Sequence, residues 1–453
     1  MIAAPRTVLV VGSGGREHAL AWRLREDGAR RVVVAPGNPG MSDVAEPRPD
    51  VALADHEAIV ALSAEIAADL VVVGPEGPLV EGLADELAAE GSAVFGPSAR
   101  AAAIEGSKAF CREVAAAAGV PMAEGAVFDS IAPAFEYARS LGGPVVVKAD
   151  GLAAGKGVTV CADLVAVERA LVEALTLRVF GAAGARVVVE RALAGAEASV
   201  IAICDTTTAF ALPAARDYKR IGDGDRGPNT GGMGAYSPLP DLSLEEAATL
   251  LDRFHRPVLR ELVSRGAPFR GALYAGLILT DAGPRLLEFN ARFGDPEAQA
   301  ILPRLGVPLG TLLLAAATDR LAEAADSLAL PGAVRSCAEA SACVVLASAG
   351  YPGPPEAGDP IEGIDLARTS GALVFAAGVA SDPARLGGLR TAGGRVLSLV
   401  GRGATVEDAA EQAYEAAGRI NFRGMQLRHD IGRPVADAAT PTRELIAIGR
   451  GSA

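Results

Sequence analysis

The chain has 453 residues, enough for about three domains of roughly 150 residues each and for a sizeable buried core. Its 55 acidic and 42 basic residues give a formal net charge of −13, which disfavours a general nucleic-acid binder or a binder of membrane surfaces. Apolar residues make up 50% of the sequence, but Pro, Gly and charged residues interrupt every apolar run before about 18 residues, so no membrane span is predicted.

The N-terminus and the rare metal-binding residue types exclude further classes. Residues 6–12 (RTVLVVG) indicate a first strand rather than a signal peptide, because neither a basic region nor a long apolar stretch is present. The five cysteines form no Cys-x-x-Cys pair, and their odd number favours a reducing cytoplasm over a disulfide framework. No two of the four histidines are spaced as in a zinc site, which leaves oxygen-ligated metals open.

The first 105 residues alternate between strands and helices and predict a small parallel α/β domain. A Gly-containing turn follows each apolar β-branched run, and Ser98 stands where a helix N-cap is expected. The predicted strands are Val8–Val11, Val32–Val34 and Leu70–Val73, and the predicted helices are Glu17–Leu24 and Val80–Ala89.

Three further regions complete a four-part α/β architecture. Residues 106–195 contain predicted strands on either side of a long Gly/Ala loop, and residues 196–328 contain a predicted β-hairpin with its turn at 281–283. Residues 329–453 form the last region, and Pro331-Gly332 marks the boundary near its start. The predicted elements are strands Val145–Lys148 and Arg186–Glu190, hairpin strands Ala272–Thr280 and Pro284–Asn290, strands Ser341–Leu346, Ala372–Ala376 and Gly394–Val400, and helix Val406–Ala417.

Residues 12–18 (GSGGREH) form a Gly-rich turn before a helix, where backbone N–H groups can bind phosphate. A dinucleotide site needs an acidic residue at the end of the second strand, and residues 34–38 (VAPGN) contain none. NAD is therefore disfavoured, which leaves a small phosphate, a phosphosugar, or a tight turn without a ligand. Since ligands of parallel sheets collect at the carboxyl ends of strands, Asn38 and Glu76 can face the same crevice as Arg16. Glu76 equally fits a strand that is ended by Gly-Pro.

Lysine is rare in this chain, and its placement is informative. Four of the 42 basic residues are lysines, at positions 108, 148, 156 and 219, so 42 − 4 = 38 are arginines. A lysine ammonium approaches a phosphate end-on, whereas arginine presents a planar fork. The stretch 147–157 (VKADGLAAGKG) places Lys148 at a strand end and Lys156 in a loop that can fold over a triphosphate. It is not a Walker A sequence, because the Gly-Lys-Ser/Thr ending is absent.

Two acidic segments fit the remainder of a nucleotide site. Glu190 ends a strand whose edge can hold adenine, and Glu197 can accept ribose hydroxyls, although both acids also fit an ordinary strand. Glu288 and Asn290 project from one face of a strand and suit Mg²⁺, which completes its shell with phosphate oxygens and water. If that strand extends, Arg292 shares the face and can stabilise a transferring phosphoryl group. Any half-exposed strand shows the same alternation, so the metal interpretation depends on the lysine loop.

A charge cluster and a second Gly-rich loop lie between these segments. Residues 216–220 (RDYKR) include the fourth lysine, and residues 227–234 (GPNTGGMG) follow shortly after. Together they can position an anionic substrate and its phosphate, and a solvated turn is the alternative. The rare lysine favours the functional interpretation.

In chain order these segments resemble the ATP-grasp superfamily and, more closely, the phosphoribosylamine–glycine ligase family of purine biosynthesis. The stretches that carry the resemblance are 12–20 (GSGGREHAL), 35–38 (APGN), 74–76 (GPE), 105–110 (EGSKAF), 148–157 (KADGLAAGKG), 227–238 (GPNTGGMGAYSP), 288–297 (EFNARFGDPE) and 393–396 (GGRV). The resemblance implies an N-terminal Rossmann-like parallel-sheet domain, a two-lobed ATP-grasp unit with a Gly-rich lid and a C-terminal α+β domain. The corresponding ranges are 1–105, 106–195 and 196–328 for the two lobes, and 329–453.

The resemblance also implies roles for individual residues. Lys108, Lys148 and Lys156 would contact ATP phosphates, and Glu288 and Asn290 would hold Mg²⁺ or Mn²⁺. The other implied ATP-binding residues are Gly151, Gly155 and Gly157 in the lid, Glu190 and Leu193 at the adenine, and Glu197 at the ribose. The implied catalytic residues are Arg292, Asp217 and Lys219, and the implied substrate-binding residues are Gly14, Gly15, Arg16, Glu17, Asn38, Glu76 and Asp295.

The implied reaction joins glycine to 5-phosphoribosylamine through glycyl phosphate and consumes ATP. The expected enzyme is a cytoplasmic monomer that binds neither nucleic acid nor membranes. The sequence departs from the family pattern in two places: Ala196 replaces the first acid of Gly-Glu-Glu, and Arg216 and Tyr218 replace Gln and His of Gln-Asp-His-Lys. The alternatives are another ATP-grasp carboxylate–amine ligase of purine synthesis or a dinucleotide-dependent oxidoreductase.

Overall fold

A five-stranded parallel sheet forms the N-terminal part of the computed structural model, which describes residues 4–153, 156–330 and 332–433. Its strands are β1 (Thr7–Gly12), β2 (Arg31–Pro36), β3 (Glu46–Pro47), β4 (Leu70–Val73) and β5 (Val94–Phe95). They lie in the order β3–β2–β1–β4–β5. The helices of this part are α1 (Gly15–Glu26), α2 (His56–Glu65), α3 (Glu76–Glu81), α4 (Leu83–Ala89), α5 (Ala99–Gly106) and α6 (Lys108–Ala117).

A four-stranded antiparallel sheet follows, in the order β6–β9–β7–β8. Its elements are β6 (Gly125–Phe128), α7 (Ile131–Leu141), β7 (Val145–Ala149), β8 (Val158–Cys161), α8 (Leu164–Leu171) and β9 (Val187–Arg191). Both helices pack their apolar residues against one face of this sheet and form a separate small core with it. The opposite face is therefore available to meet the rest of the molecule.

A second antiparallel sheet has the order β11–β10–β16–β17, and its last two strands form a hairpin. The elements of this part are β10 (Ala196–Cys204), β11 (Ala209–Ala211), β12 (Arg216–Asp217), β13 (Arg220–Gly222), β14 (Arg226–Asn229), β15 (Gly234–Ser237), α9 (Leu244–Leu250), α10 (Arg256–Ser264), β16 (Gly271–Thr280), β17 (Gly283–Asn290), α11 (Glu297–Ile301), α12 (Leu309–Ala317) and α13 (Leu321–Leu328).

The C-terminal sheet takes strands from two regions of the chain. Its order is β12–β15–β18–β23–β20, so β12 and β15 leave their own region and pair with the last one. A smaller sheet has the order β19–β22–β21. The elements after residue 332 are β18 (Ala340–Ala347), β19 (Pro360–Ile361), α14 (Ile364–Arg368), β20 (Leu373–Ala376), β21 (Val379–Ser381), β22 (Leu389–Thr391), β23 (Arg395–Gly403) and α15 (Val406–Ala417).

The predicted strands and the predicted hairpin are confirmed, and so are the N-cap at Ser98 and the last helix. The apolar runs of β1 and β4 are buried along their length, as expected for a parallel sheet that is covered on both faces. One prediction is wrong: the helix expected at Val80–Ala89 is two helices, α3 and α4. They separate at Gly82, whose φ of +100° is incompatible with a continuous helix. In the described residues, no helix is long and apolar enough to cross a membrane.

Candidate active site

The Gly-rich turn after β1 is filled by the side chain of Glu17. The backbone N–H of Gly14 donates to Glu17 Oε2 at 2.7 Å, which caps the N-terminus of α1. A Cβ atom at Gly12 would lie 2.6 Å from Glu17 Cγ, and one at Gly74 would also collide with this side chain. The predicted substrate-binding residue Glu17 is therefore 2% exposed and lies inside the turn. The glycines on either side leave room for it.

Arg16 and Asn38 connect this turn to distant parts of the chain. Arg16 Nη1 donates to the carbonyl of Phe293 at 3.0 Å, in the loop after β17. Asn38 Nδ2 donates to the carbonyls of Ser13 at 2.8 Å and Ala376 at 3.1 Å, and the latter ends β20. Both side chains are 6% exposed. The N-terminal sheet is thereby held against the β17 loop and the C-terminal sheet.

Arg292 lies between two carboxylates, and it does not continue strand β17, which ends at Asn290. Its Nε atom lies 3.1 Å from Glu76 Oε2, and its Nη2 atom lies 2.8 Å from Glu105 Oε1. Glu105 Oε2 also accepts the backbone N–H of Ala291 at 2.7 Å. Burial raises the pKa of Glu105 to about 7, although Arg292 opposes the shift. For Glu76, burial is outweighed by Arg292 and Arg16, which lower its pKa to about 2.

Asp295 is held by Arg395, a residue that the sequence did not single out. Asp295 Oδ2 lies 3.0 Å from Arg395 Nη2, and Asp295 Oδ1 accepts from Gln299 Nε2 at 2.7 Å. Arg395 Nη1 also donates to the carbonyl of Gly231 at 2.6 Å. Arg395 belongs to the motif at 393–396, but one arginine among 38 carries no local signal of this contact.

Two of the four lysines meet two acidic residues between the small antiparallel sheet and β17. Lys148 Nζ forms an ion pair with Glu190 and donates to the carbonyl of Leu287 at 3.0 Å. Burial lowers the pKa of Lys148, but Glu190 outweighs burial and the pKa is raised. Burial also lowers the pKa of Lys108, which interacts electrostatically with Glu288 and Lys148. The structure thus gathers Lys108, Lys148, Glu190 and Glu288 into one cluster.

The predicted Gly-rich lid is only partly described. Gly155 lies outside the described residues, and Lys156 is exposed. The carbonyl of Gly157 accepts the backbone N–H of Ala149 at 2.7 Å, and Gly151 donates its own N–H to the carbonyl of Ala183 at 3.2 Å. Gly157 therefore anchors one end of the loop to β7, and Gly151 anchors the other end to the segment before β9.

Glu288 and Asn290 share one half-buried face of β17, as predicted. Among the residues that the structure describes, neither side chain makes a hydrogen bond or an ion pair within the chain. A carboxylate and an amide oxygen on one face suit Mg²⁺, which binds few protein groups. The described parts of the chain contain no group of three or more His, Cys, Asp or Glu residues that could hold a metal ion. The donor set fits a metal ion that is shared with phosphate.

Lys219 joins two acidic residues that lie on different strands, Glu197 on β10 and Asp217 on β12. Its Nζ atom lies 2.5 Å from Glu197 Oε2 and 2.9 Å from Asp217 Oδ1. Burial raises the pKa of Asp217 to about 7, while the Lys219 charge opposes the shift. The same charge lowers the pKa of Glu197. Glu197, predicted to contact ribose, is thus engaged with Lys219. Leu193 is half-buried between β9 and β10.

Arg216 and Tyr218, the departures from the family pattern, are occupied by contacts within the fold. Arg216 donates to the carbonyl of Glu197 at 2.6 Å, to Tyr236 Oη at 2.9 Å and to Asp241 Oδ2 at 2.7 Å. Tyr218 Oη accepts the backbone N–H of Gly432 at 3.2 Å. Their side chains support the strands on either side of Asp217 and Lys219.

Strand β17 and the loop after it connect these groups. The strand presents Glu288 to Lys148 of β7 and to Lys108 at the start of α6, and the loop presents Arg292 to Glu76 and Asp295 to Arg395. The groups at β17, namely Lys108, Lys148, Glu288 and Asn290, are thereby connected through this loop to the N-terminus of α1, and we call the region that they border the cleft. The fold and these groups define an ATP-grasp ligase.

Comparisons with known proteins lead to the same class of enzyme. The N, ATP-grasp (A) and C domain families of phosphoribosylglycinamide synthetase match residues 6–105, 106–298 and 341–434. A phosphoribosylamine–glycine ligase of Mesorhizobium japonicum is 47% identical over 426 residues, which cover 94% of this chain and 97% of that protein. One of Caulobacter vibrioides is 48% identical over 431 residues, with the same coverage. The chain belongs to the phosphoribosylglycinamide synthetase family.

Solved structures show the same relationship. The phosphoribosylamine–glycine ligase of Thermotoga maritima is 33% identical, with a TM-score of 0.77 and coverage of 94% of this chain and 99% of that one. The biotin carboxylase domain of Hydrogenobacter thermophilus 2-oxoglutarate carboxylase, crystallised with MgADP, has a TM-score of 0.68 at 18% identity. It covers 94% of this chain and 92% of that one, and it shows the fold alone. Family membership selects an ATP-dependent ligase over the dinucleotide-dependent oxidoreductase.

Proposed function

We propose that this cleft catalyses the ATP-dependent ligation of glycine to 5-phosphoribosylamine, which yields glycinamide ribonucleotide, ADP and phosphate. The observation that carries this proposal is the meeting of Lys108, Lys148 and Glu288 at β17, next to the loop that reaches the Gly-rich turn. A carboxylate does not form an amide with an amine until it has a good leaving group, and phosphorylation supplies one.

The reaction has two steps. A carboxylate oxygen of glycine attacks the γ-phosphorus of ATP, the bond to the β-phosphate oxygen breaks, and ADP leaves. The amine nitrogen of phosphoribosylamine then attacks the acyl carbon of glycyl phosphate. The bond from that carbon to the phosphate oxygen breaks, phosphate leaves, and the nitrogen loses a proton. Catalysis of this kind depends on positioning and charge neutralisation rather than on a nucleophilic side chain.

The ATP-binding roles follow the cluster at β17. Lys108, Lys148 and Lys156 bind the phosphates, and backbone groups of the lid glycines cover them. Glu190 and Leu193 border the adenine, and Glu197 lies at the ribose. Glu288 and Asn290 would hold Mg²⁺ or Mn²⁺, which neutralises phosphate charge when bound. The lid glycines are Gly151, Gly155 and Gly157.

The other two substrates occupy the opposite side of the cleft. The N-terminus of α1 takes the phosphate of phosphoribosylamine, because the positive end of the helix dipole favours an anion. Asp217 and Lys219 orient the reacting groups, and Arg292 stabilises the charge on the transferred phosphoryl group. The residues assigned to this substrate side are Gly14, Gly15, Arg16, Glu17, Asn38, Glu76 and Asp295.

The functional units would be residues 1–105, 106–195, 196–328 and 329–453. Separate sheets in the first two units support this division, whereas β12 and β15 join the third unit to the fourth. We also propose a location in the cytoplasm, since all five cysteines are free thiols. The proposed oligomeric state is a monomer. Light scattering during gel filtration measures the oligomeric state directly.

The decisive experiment measures ADP release by the purified chain with Mg²⁺, ATP and pairs of acid and amine substrates. We expect release with glycine and phosphoribosylamine together and little with either omitted. Faster release with a different acid or amine would identify another carboxylate–amine ligase of purine synthesis instead. Mass spectrometry of the product, which should contain one glycyl amide, provides an independent check.

Lys156→Ala should raise KM for ATP by about tenfold, the effect of one lost contact worth roughly 1.4 kcal/mol to a phosphate. Lys156 is exposed, so the substitution should leave the fold unchanged. Initial rates at varied ATP concentration measure the effect, and Lys156→Arg serves as a variant that keeps the charge. An unchanged KM for ATP in Lys156→Ala would exclude a phosphate contact by this side chain.

A further inference from the structure

Arg428, near the end of the described chain, is a buried arginine that the active-site assignments do not use. Its side chain is 1% exposed. Nε and Nη2 bind both oxygens of Asp430, at 2.8 and 2.6 Å, and Nη1 binds Asp225 Oδ1 at 2.7 Å. Nη1 also donates to the carbonyl of Arg220 at 3.1 Å, and the guanidinium lies 4.7 Å from the ring centroid of Tyr218. A buried arginine charge is retained only where its partners compensate for lost hydration.

Two partners of Arg428, Arg220 and Asp225, belong to one short hairpin, which β13 and β14 form with the turn between them. The next two residues hold the same hairpin: the backbone N–H of His429 donates to Asp223 Oδ1 at 2.7 Å, and Asp430 Oδ2 accepts the N–H of Gly224 at 2.9 Å. The two strands have three and four residues, and a two-stranded hairpin of this size is at best marginally stable alone. Residues 428–430 therefore supply much of its order.

The hairpin connects the substrate-side residues of the proposed site. Lys219 immediately precedes β13, and its carbonyl accepts both the backbone N–H of Thr230, at 2.7 Å, and the Thr230 hydroxyl, at 2.8 Å. Gly231 follows and is bound by Arg395 and by Tyr351 Oη. Any shift of the hairpin thus moves Lys219 relative to Asp217, its ion-pair partner.

We propose that Arg428 is a positioning residue for the ligation: by fixing the β13–β14 hairpin, it holds Lys219 in register with Asp217 on the substrate side of the cleft. The inference depends on the proposed function for the identity of the substrates. It predicts a larger effect of Arg428 on glycine and phosphoribosylamine than on ATP, because Lys108, Lys148 and Glu288 make no hydrogen bond or ion pair with the hairpin among the described residues. The proposed ribose residue Glu197 is linked to the hairpin through Lys219, so a smaller effect on ATP is expected as well. If Arg428 only stabilised the fold, its substitution would change the kinetic constants for all three substrates by the same factor.

The test compares Arg428→Met with Arg428→Lys and with the control Arg423→Met. Arg423 lies on the same C-terminal segment, but it is 74% exposed and contacts Glu356 and Asp359 rather than the hairpin. We expect Arg428→Met to lower kcat/KM for glycine and for phosphoribosylamine by about tenfold or more, since small displacements of catalytic groups are costly. KM for ATP should change less than about twofold, Arg428→Lys should recover part of the loss, and Arg423→Met should match the wild type.

Hydrogen exchange adds a readout that is independent of turnover. Residues 219–231 should exchange faster in Arg428→Met, while β7 and β17 keep their protection. If Arg428→Met does not fold, Asp225→Asn replaces it, because Asp225 is 70% exposed and the substitution removes the negative charge of one ion-pair partner of the same arginine. That variant should show a smaller change of the same kind.

Three results would overturn the inference: a folded Arg428→Met with wild-type constants for glycine and phosphoribosylamine, an equal loss for ATP and both other substrates, or an unchanged Asp225→Asn where Arg428→Met is unfolded. Each of these requires an active wild-type enzyme. A wild-type chain without glycine-dependent ADP release would instead contradict the proposed function, and this inference with it.

Discussion

Replacing Glu288 by glutamine is expected to reduce glycine-dependent ADP release by about 10³-fold or more, while the chain remains folded. The carboxylate shares a face of β17 with Asn290 and interacts electrostatically with Lys108 and Lys148. Glutamine keeps its size but removes the negative charge that a divalent ion requires. Since the Glu288 side chain makes no hydrogen bond or ion pair in the described parts of the chain, its loss should not weaken the fold.

The measurement combines steady-state rates with thermal unfolding. Glu65→Gln is a matched control, because Glu65 is 62% exposed on α2 and lies far along the chain from the cleft. The stabilisation of Glu288→Gln by ATP with Mg²⁺, relative to ATP with a chelator, should be smaller than that of the wild type. Wild-type turnover in Glu288→Gln would refute the metal assignment. Lost turnover together with a much lower melting temperature would show that the substitution acts by destabilising the fold.

Lys219→Met is expected to lower kcat/KM for glycine and phosphoribosylamine by about 10²-fold or more, because it removes a charge placed among reacting groups. It should also change the pH dependence. Burial raises the pKa of Asp217 to about 7, and Lys219 opposes this by favouring the ionised carboxylate. Without that charge the pKa rises further, so the acidic limb of the kcat/KM profile should move to higher pH.

The same substitution should also change how the stability of the fold depends on pH. Asp217 in the folded variant would keep a proton that the unfolded chain releases near 3.8, the ordinary pKa of an aspartate. Stability should therefore fall as pH rises towards the raised pKa, and the variant should melt at a lower temperature at alkaline than at neutral pH. Lys219→Arg keeps the positive charge and should retain the wild-type position of the acidic limb. An unshifted limb in Lys219→Met would show that Asp217 does not govern it.

Local patterns were sufficient for most secondary structure. Continuous apolar β-branched runs indicated β1, β2 and β4, and alternating residues placed Glu288 and Asn290 on one face of β17. The helix prediction at Val80–Ala89 failed because the apolar periodicity continues across Gly82, whose positive φ separates α3 from α4. Apolar periodicity indicates which face of a helix is buried, but it does not indicate where one residue adopts a left-handed backbone conformation.

The roles of charged residues were less accessible to sequence reasoning. The position of Glu17 after the Gly-rich turn does not show that its carboxylate fills that turn and caps α1, and its substrate-binding role stays a prediction. The contacts of Arg395 and Arg428 have no local signal in the sequence, although Arg395 lies in the stretch 393–396 that resembles the family. Their partners Asp295 and Asp225 lie 100 and 203 positions away. The assignments of individual site residues remain predictions for the experiments above.

The amino-acid sequence alone is enough to predict the family and the order of the α/β elements. It also shows that lysine is scarce and occurs only at positions 108, 148, 156 and 219. These features depend on residue types and short spacings along the chain. Three features become visible in the folded structure alone. Arg292 lies between Glu76 and Glu105, and β12 and β15 join the C-terminal sheet. Arg428 binds the hairpin beside Lys219. The reason is physical: these contacts join residues far apart in sequence, and only the packing of whole sheets fixes which charges are buried together.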